Sequence, residues 1–150
     1  QNFVTSFREY CKAHQDDVLA GKQVYLLRNE SKRGLGFFEA NNFYPDFILW
    51  ILDGEKQYIT FIDPKGIRNL KGLEDDKIQL FKYLQTEVAS QLGNAHLMLN
   101  SFIISNTPME QVEFWLKNPF EKGEFQKNHV LFKDDKGYLD TMVNMILQYI

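Results

Sequence analysis

Two aspartates and a lysine stand at the ends of two apolar runs, where they could act together. Asp46 comes just before the apolar run 47–52, and Asp63 and Lys65 come just after a second run, 58–62. Two carboxylates and several water molecules suit Mg²⁺. A lysine beside them can stabilise charge that develops on a phosphate, or help to position and deprotonate an attacking water. If the three side chains meet, they form a candidate centre for phosphodiester hydrolysis.

The two runs predict a β-hairpin, and its register decides whether the acids meet. Both runs are rich in aromatic and β-branched residues, and a short polar loop joins them. If Gly54 and Glu55 form the loop, Asp46 lies directly opposite Asp63, whereas a two-residue loop one position earlier makes the acids diagonal neighbours on one face. Lys65, two residues beyond Asp63, points to that same face. A loop of odd length would place the acids on opposite faces.

A purely structural interpretation of these residues is also open. Asp, Pro and Gly all favour turns, so Asp46 and the segment 63–66 could simply end the two strands. Like charges opposed across two strands destabilise a sheet unless something compensates them, and a hard cation would do so. The sequence therefore supports both a metal centre and a pair of strand-end turns.

The apolar periodicity around the hairpin predicts a core of helix, three strands, helix and strand, followed by a helix, strand, helix extension. The expected elements are a helix from residue 3 that ends near Gly21, strands at 24–27, 47–52 and 58–62, a helix from 74 to 92, a strand at 102–104, a helix at 109–117, a strand at 130–132 and a helix at 138–149. The helix from residue 74 is expected to bury Ile78, Phe81, Leu84, Val88 and Leu92. Nearly continuous apolar strands favour a sheet covered by helices on both faces, an α/β sandwich.

Composition is typical of one compact domain spanning residues 1–150. The chain is 44% hydrophobic and has 15% aromatic residues, enough for a substantial core. Its longest apolar run, 47–52, is far shorter than the roughly 20 residues that span a bilayer. Cys11 is the single cysteine and cannot form an internal disulfide, which favours a reducing, cytoplasmic location. Because the chain begins with Gln1 rather than Met, we expect it to be part of a longer protein.

Charge argues against a protein that coats nucleic acid through bulk electrostatics. The formal net charge is −3, whereas such domains are usually strongly basic. Lys65, Arg68 and Lys71 nevertheless lie within seven residues of one another. Arg68 and Lys71 are therefore candidate DNA-binding residues, and we expect weak, salt-sensitive binding to duplex DNA.

Pro45-Asp46, the hairpin and Asp63-x-Lys65 together resemble the PD-(D/E)xK nuclease superfamily. More narrowly, "FYPDFILWI" and "FIDPKG" are similar to the nuclease-type domain at the C-terminus of bacterial DEAD/DEAH-box helicases and of type III restriction subunits. The resemblance covers about residues 1–105, with specific motifs between 43 and 66. It implies a restriction-endonuclease-like three-layer sandwich with a mixed central sheet. It also implies that Asp46 and Asp63 ligate Mg²⁺, with Mn²⁺ as a substitute, and that Lys65 is the catalytic lysine.

The same resemblance implies weaker site candidates and a function. The family often adds an acid from the first helix, for which Glu9 is a candidate and Glu39 a competitor, and 79–83 is similar to a Gln-x-x-x-Tyr element that begins here at Gln79. The implied function is that of a Mg²⁺-dependent endonuclease that cleaves DNA and works with an upstream helicase region of the same polypeptide. A catalytically inactive DNA-docking or protein-interaction module of the same fold is the alternative. A structural interaction domain without a nucleic-acid role is a third interpretation.

Overall fold

A mixed β-sheet forms the centre of the molecule. The computed structural model describes residues 2–30, 34, 36, 40, 42–65, 67 and 70–148. Within these residues five strands form one sheet in chain order: β1 (Gln23–Arg28), β2 (Phe47–Asp53), β3 (Lys56–Lys65), β4 (Leu97–Ser105) and β5 (Val130–Phe132). The first two pairings are antiparallel and the last two are parallel. The predicted α/β class with a mixed sheet is confirmed.

Helices pack on both sides of this sheet. On one face lie α1 (Phe3–His14) and α6 (Tyr138–Leu147). The other face carries α2 (Leu80–Tyr83), a π-helical segment (Leu84–Val88), α3 (Ala89–Leu92), a 3₁₀ turn (Met109–Gln111), α4 (Glu113–Lys117) and α5 (Lys122–Lys127). None of the described helices is long and apolar enough to span a membrane.

Side chains alternate between the two faces of the sheet, so the apolar residues form two cores, one on each face. The same alternation decides which face carries the candidate site. In β3, Ile62 is fully buried on the side of α1 and α6, whereas Phe61 is buried on the side of α2. Because successive side chains of a strand point to opposite faces, Asp63 and Lys65 lie on the same face as Phe61. The acid and the lysine therefore face the α2 side of the sheet.

The prediction that helices cover both faces fails at the edge strand β1. Tyr25 and Leu27 are 51% and 45% exposed, and their partners across the antiparallel pair, Trp50 and Ile48, are only partly buried. The helices of the α2 side contact β4 and β5, at the other side of the sheet from β1. One face of β1 therefore stays open although its residues are apolar.

The helix expected from residue 74 begins later and leaves one of its five predicted core residues exposed. Regular helix starts at Leu80, because the backbone N–H of Lys77 donates to Asp75 Oδ1 at 2.9 Å in a local turn instead. The π-helical segment then adds a residue to one turn and rotates everything after it. Ile78, Phe81 and Leu84 are buried as predicted and Val88 is partly buried, but Leu92, which follows the π-helical segment, is 55% exposed.

Two further differences concern helix boundaries. α1 ends at His14, and turns rather than helix carry the chain to Gly21. The helix predicted at 109–117 is divided at Val112, which is extended (φ −80°, ψ 116°) and fully buried, so that its side chain can reach the core. α5 was not predicted. The predicted strands all form, and the closing helix begins at Tyr138 as expected.

Candidate functional site

The β2–β3 hairpin has the register that brings the two acids together. Asp53 pairs with Lys56, which leaves Gly54 and Glu55 as the loop. Gly54 has φ +60°, a left-handed conformation that glycine adopts without strain. The pairing continues to Phe47 opposite Ile62, so the next residues, Asp46 and Asp63, are neighbours. The first of the two predicted registers is confirmed.

Asp63 is the buried centre of the candidate site. It is only 4% exposed. One carboxylate oxygen, Oδ1, accepts the backbone N–H of Asp46 at 2.9 Å, and the other, Oδ2, lies 2.6 Å from Lys65 Nζ. Burial raises the pKa of Asp63 above its ordinary value, and the negative charge of Asp46 raises it further, while Lys65 and the Asp46 N–H act in the opposite direction. A nearby positive charge would therefore stabilise the ionised carboxylate.

Asp46 is exposed at the start of β2, and its backbone is held in place by Asn29. The N–H of Asn29 donates to the Asp46 carbonyl at 2.8 Å, and Asn29 Nδ2 donates to the Pro45 carbonyl at 2.8 Å. Asn29 was not among the residues predicted from the sequence. A signal was available, because Asn29 directly follows β1 at the position opposite Asp46 in an antiparallel pair. These bonds direct the Asp46 N–H toward Asp63 while its side chain stays open to solvent.

Lys65 is held between Asp63 and an aromatic ring. Its Nζ lies 4.4 Å from the centre of the Phe43 ring, and its side chain is 24% exposed. Lys77 lies over the same ring, with Nζ 5.7 Å from its centre. Phe43 is itself buried. Neither Phe43 nor Lys77 was a sequence candidate, because cation–ring contacts between residues this far apart leave no periodic signal.

Of the two candidates for a third acid, Glu9 and Glu39, the structure describes only Glu9. Glu9 is exposed on α1, and α1 packs on the face of the sheet opposite to Asp63. Among the described residues no three His, Cys, Asp or Glu side chains form a group that could hold a metal ion. Glu39 lies outside the described residues. The described part of the site is thus a pair of acids, Asp46 and Asp63, with a lysine.

The Gln79 side chain donates two hydrogen bonds within the chain. Its Nε2 donates to the Leu73 carbonyl at 2.6 Å and to Asn128 Oδ1 at 2.8 Å. These bonds join the start of α2 to the residue that follows α5. A role for Gln79 in catalysis stays a prediction.

The proposed DNA-binding pair is only half described. Arg68 lies outside the described residues, and Lys71 is exposed. Lys71 borders a cavity of about 550 Å³ whose lining also includes Glu74, Asp75, Asp76, Phe114 and Phe120. Because three acids share that cavity, its electrostatic environment is not favourable to phosphate.

Comparison with protein-family models, curated proteins and solved structures returned no match. The resemblance to the PD-(D/E)xK superfamily therefore stays a prediction. The geometry itself supplies two carboxylates, one buried and one exposed, and two lysines on one buried ring. Such a site can bind a cation through the acids and an anion through the lysines.

Proposed function

We propose that this chain is a Mg²⁺-dependent nuclease domain that hydrolyses DNA phosphodiester bonds. The observation that carries the proposal is the convergence of Asp46, Asp63 and Lys65 at one end of the β2–β3 hairpin. A helix, three strands, a helix and a strand surround the site in the order expected for a restriction-endonuclease-like fold. An upstream helicase region of the same polypeptide is the partner we propose on the same resemblance.

The donor set fits a hard divalent cation. Asp46 and Asp63 would hold Mg²⁺, which commonly binds through one or two carboxylates and keeps several waters. Each carboxylate oxygen of Asp63 has a further lone pair beyond the bond it already accepts. When bound, Mg²⁺ would supply a more acidic water and neutralise charge on the phosphate. Burial raises the pKa of Asp63, and a bound cation would act in the opposite direction, as Lys65 does.

Lys65 would act on the phosphate as a charged donor. Its ammonium is paired with Asp63, and the Phe43 ring confines it on another side. A held ammonium of this kind is preorganised to stabilise charge that develops in a transition state. Of the two roles considered for the lysine, this geometry favours charge stabilisation over deprotonation of water.

Supercoiled plasmid tests the proposal directly. Incubation of the purified chain with plasmid and Mg²⁺ should give nicked and linear DNA, and addition of EDTA should stop the reaction, because the two acids need a cation to act on phosphate. Asp46→Asn is the matched loss-of-function variant, since it keeps the size and the backbone N–H of the residue. Cleavage that continues in EDTA, or no cleavage in Mg²⁺ and Mn²⁺, would contradict a metal-dependent nuclease.

A catalytically inactive DNA-docking or protein-interaction module is the second candidate. The favouring observation is that both oxygens of Asp63 already have partners within the chain, Lys65 and the Asp46 N–H. A structural ion pair of this kind needs no cation. On this candidate function the plasmid stays intact while binding to DNA or to a protein partner persists.

A measurement of metal binding distinguishes the two candidate functions and needs no cleavage assay. Calorimetric titration with Mn²⁺ should detect one site per chain. Asp46→Asn should weaken that site at least about tenfold, because losing a residue that merely orients a metal ligand already costs about 10–100-fold, and Asp46 would be a ligand itself. Asp76→Asn is the control, since Asp76 is an exposed acid outside the hairpin. Equal Mn²⁺ affinity in all three proteins would exclude the acid pair as the metal site.

A further inference from the structure

Two lysines from distant parts of the chain share one aromatic ring at the candidate site. Lys65 ends β3 and Lys77 precedes α2, and their ammonium groups lie 4.4 and 5.7 Å from the centre of the Phe43 ring. A cation over an aromatic face gains about 0.5 to 2 kcal/mol, depending on how far it is desolvated. The ring therefore gathers positive charge beside Asp63.

The two lysines differ in their partners. Lys65 is paired with Asp63 at 2.6 Å. Within the described part of the chain, Lys77 has no acid within ion-pair distance. Lys77 is also partly buried, whereas Lys71 and Lys82 are exposed. A partly buried ammonium without an acidic partner is incompletely compensated and favours an anion nearby.

The backbone fixes the position of Lys77. Its N–H donates to Asp75 Oδ1 at 2.9 Å, and the N–H of Gln79 donates to the Asp75 carbonyl at 2.9 Å. The next residue, Ile78, is 1% exposed and anchors the turn in the core on the α2 side. The turn therefore fixes the backbone from which the Lys77 side chain extends.

We propose that Lys77 is a substrate-binding residue that contacts a backbone phosphate of duplex DNA next to the phosphate at Lys65. This inference rests on the nuclease function proposed above and extends it. Both ammonium groups contact the same Phe43 ring, at 4.4 and 5.7 Å from its centre, so a strand whose phosphate is at Lys65 passes close to Lys77. Lys77 thereby supplies a phosphate contact on the same face of the sheet as Asp63.

Salt dependence of DNA binding tests the proposal. Affinity of a short duplex for the wild-type chain and for Lys77→Met is measured by fluorescence anisotropy over a series of KCl concentrations, with Ca²⁺ in place of Mg²⁺ to prevent cleavage. Loss of one phosphate contact should reduce the slope of log affinity against log salt by about 0.9, which corresponds to about eightfold weaker binding at 0.1 M salt. Lys77→Arg keeps the charge and should keep the slope.

Lys82→Met is the matched control. Lys82 also lies over a phenylalanine, with Nζ 5.9 Å from the Phe81 ring centre, but it is exposed and that ring belongs to α2. Its replacement removes the same charge and should leave the slope unchanged. Lys77→Gln is a second neutral variant, and thermal unfolding verifies that both Lys77 variants fold.

Equal slopes for Lys77→Met and Lys82→Met would overturn the proposal, as would a wild-type chain that does not bind the duplex. Nicking of plasmid by the wild-type chain is scored separately. DNA binding that depends on Lys77 without any nicking would uphold the phosphate contact and reject the nuclease. Nicking by the wild-type chain, together with a salt slope that is unchanged in Lys77→Met, would uphold the nuclease and reject the phosphate contact.

Discussion

Asp63→Asn should lower plasmid nicking by at least about 100-fold, in line with the loss of one preorganised charged group in other active sites. The same variant should be as stable as the wild-type chain in EDTA, or slightly more stable. Asparagine keeps the size of the residue, and its Oδ1 can still accept the Asp46 N–H that now lies at 2.9 Å. It removes the charge that the proposed metal would need.

The expected stability follows from the direction of the pKa shift. Burial raises the pKa of Asp63, so the folded chain binds this proton more tightly than the unfolded chain does. The stabilisation is fully present below the ordinary aspartate pKa and is lost as pH rises through the raised one. Asparagine, like the protonated acid, carries no charge, and it stays neutral at every pH. The advantage of Asp63→Asn over the wild-type chain should therefore grow as pH rises from acid to neutral.

Lys65→Met provides the opposite control. Methionine can keep the packing on Phe43 but leaves the buried Asp63 carboxylate without its partner at 2.6 Å. Loss of a hydrogen bond to a charged group costs about 1.5 to 3 kcal/mol of unfolding free energy. Adding Asp63→Asn to Lys65→Met should recover most of that loss, since the uncompensated charge is then gone.

Thermal unfolding in EDTA beside a nicking assay distinguishes the catalytic role of Asp63 from a structural one. A stable but inactive Asp63→Asn variant supports the nuclease. If the variant instead loses about 0.5 to 3 kcal/mol, as damaging substitutions commonly do, and any activity persists, then Asp63 serves the fold and its assignment as a metal ligand is wrong.

Acidification from pH 7 to pH 4 should remove about 3 kcal/mol of unfolding free energy through His129 alone. Its ring stacks on Phe81 at a centroid distance of 3.7 Å and on Phe102 at 4.7 Å. Its Nδ1 lies 3.0 Å from the Ser101 carbonyl oxygen, to which it must donate because that oxygen only accepts. Burial lowers the pKa of His129 from 6.5 to about 4.

The direction of this effect follows from the lowered pKa. A histidine with a depressed pKa in the folded state contributes stability above its ordinary pKa, and the contribution is lost as pH falls from 6.5 toward 4. Asp63 has a raised pKa and acts in the opposite direction over the acid range, so the two residues must be measured separately.

Denaturant unfolding at a series of pH values measures the contribution of His129. In His129→Asn the curve between pH 6.5 and pH 4 should be flatter by about 3 kcal/mol, whatever the variant's stability at pH 7. Asparagine suits this position because His129 has φ +60°, which Asn tolerates better than most residues, and its amide can donate to Ser101. His96→Asn is the control, since His96 is 58% exposed. An unchanged slope in His129→Asn would show that the ring titrates normally.

Local patterns in the sequence were enough to predict the hairpin. Nearly continuous runs of large apolar residues define β2 and β3, and Gly54 permits a two-residue loop. Once the loop has an even length, the pleat alone places Asp46, Asp63 and Lys65 on one face. This part of the site depends only on residues within twenty positions of one another.

The helix after β3 shows where local pattern fails. The acids at 74–76 resemble the start of a helix, but the Asp75 side chain forms a turn with the backbone of Lys77 instead. The π-helical segment then changes which residues face the core, and Leu92 becomes exposed. Helical periodicity assumes one constant angle per residue, so a single wider turn invalidates it for every later position.

The sequence by itself determined the strands and the hairpin, and it reduced the two-residue loop to two registers that both place two acids and a lysine on one face, because these features depend on neighbours in the chain. The structure decided between the two registers. Tertiary structure alone decided the burial of Asp63, the support of Asp46 by Asn29 and the placement of Lys77 beside Lys65 on the Phe43 ring. These properties arise from contacts between segments far apart in the chain. The charge state of a buried group depends on everything packed around it, and a linear pattern does not carry that information.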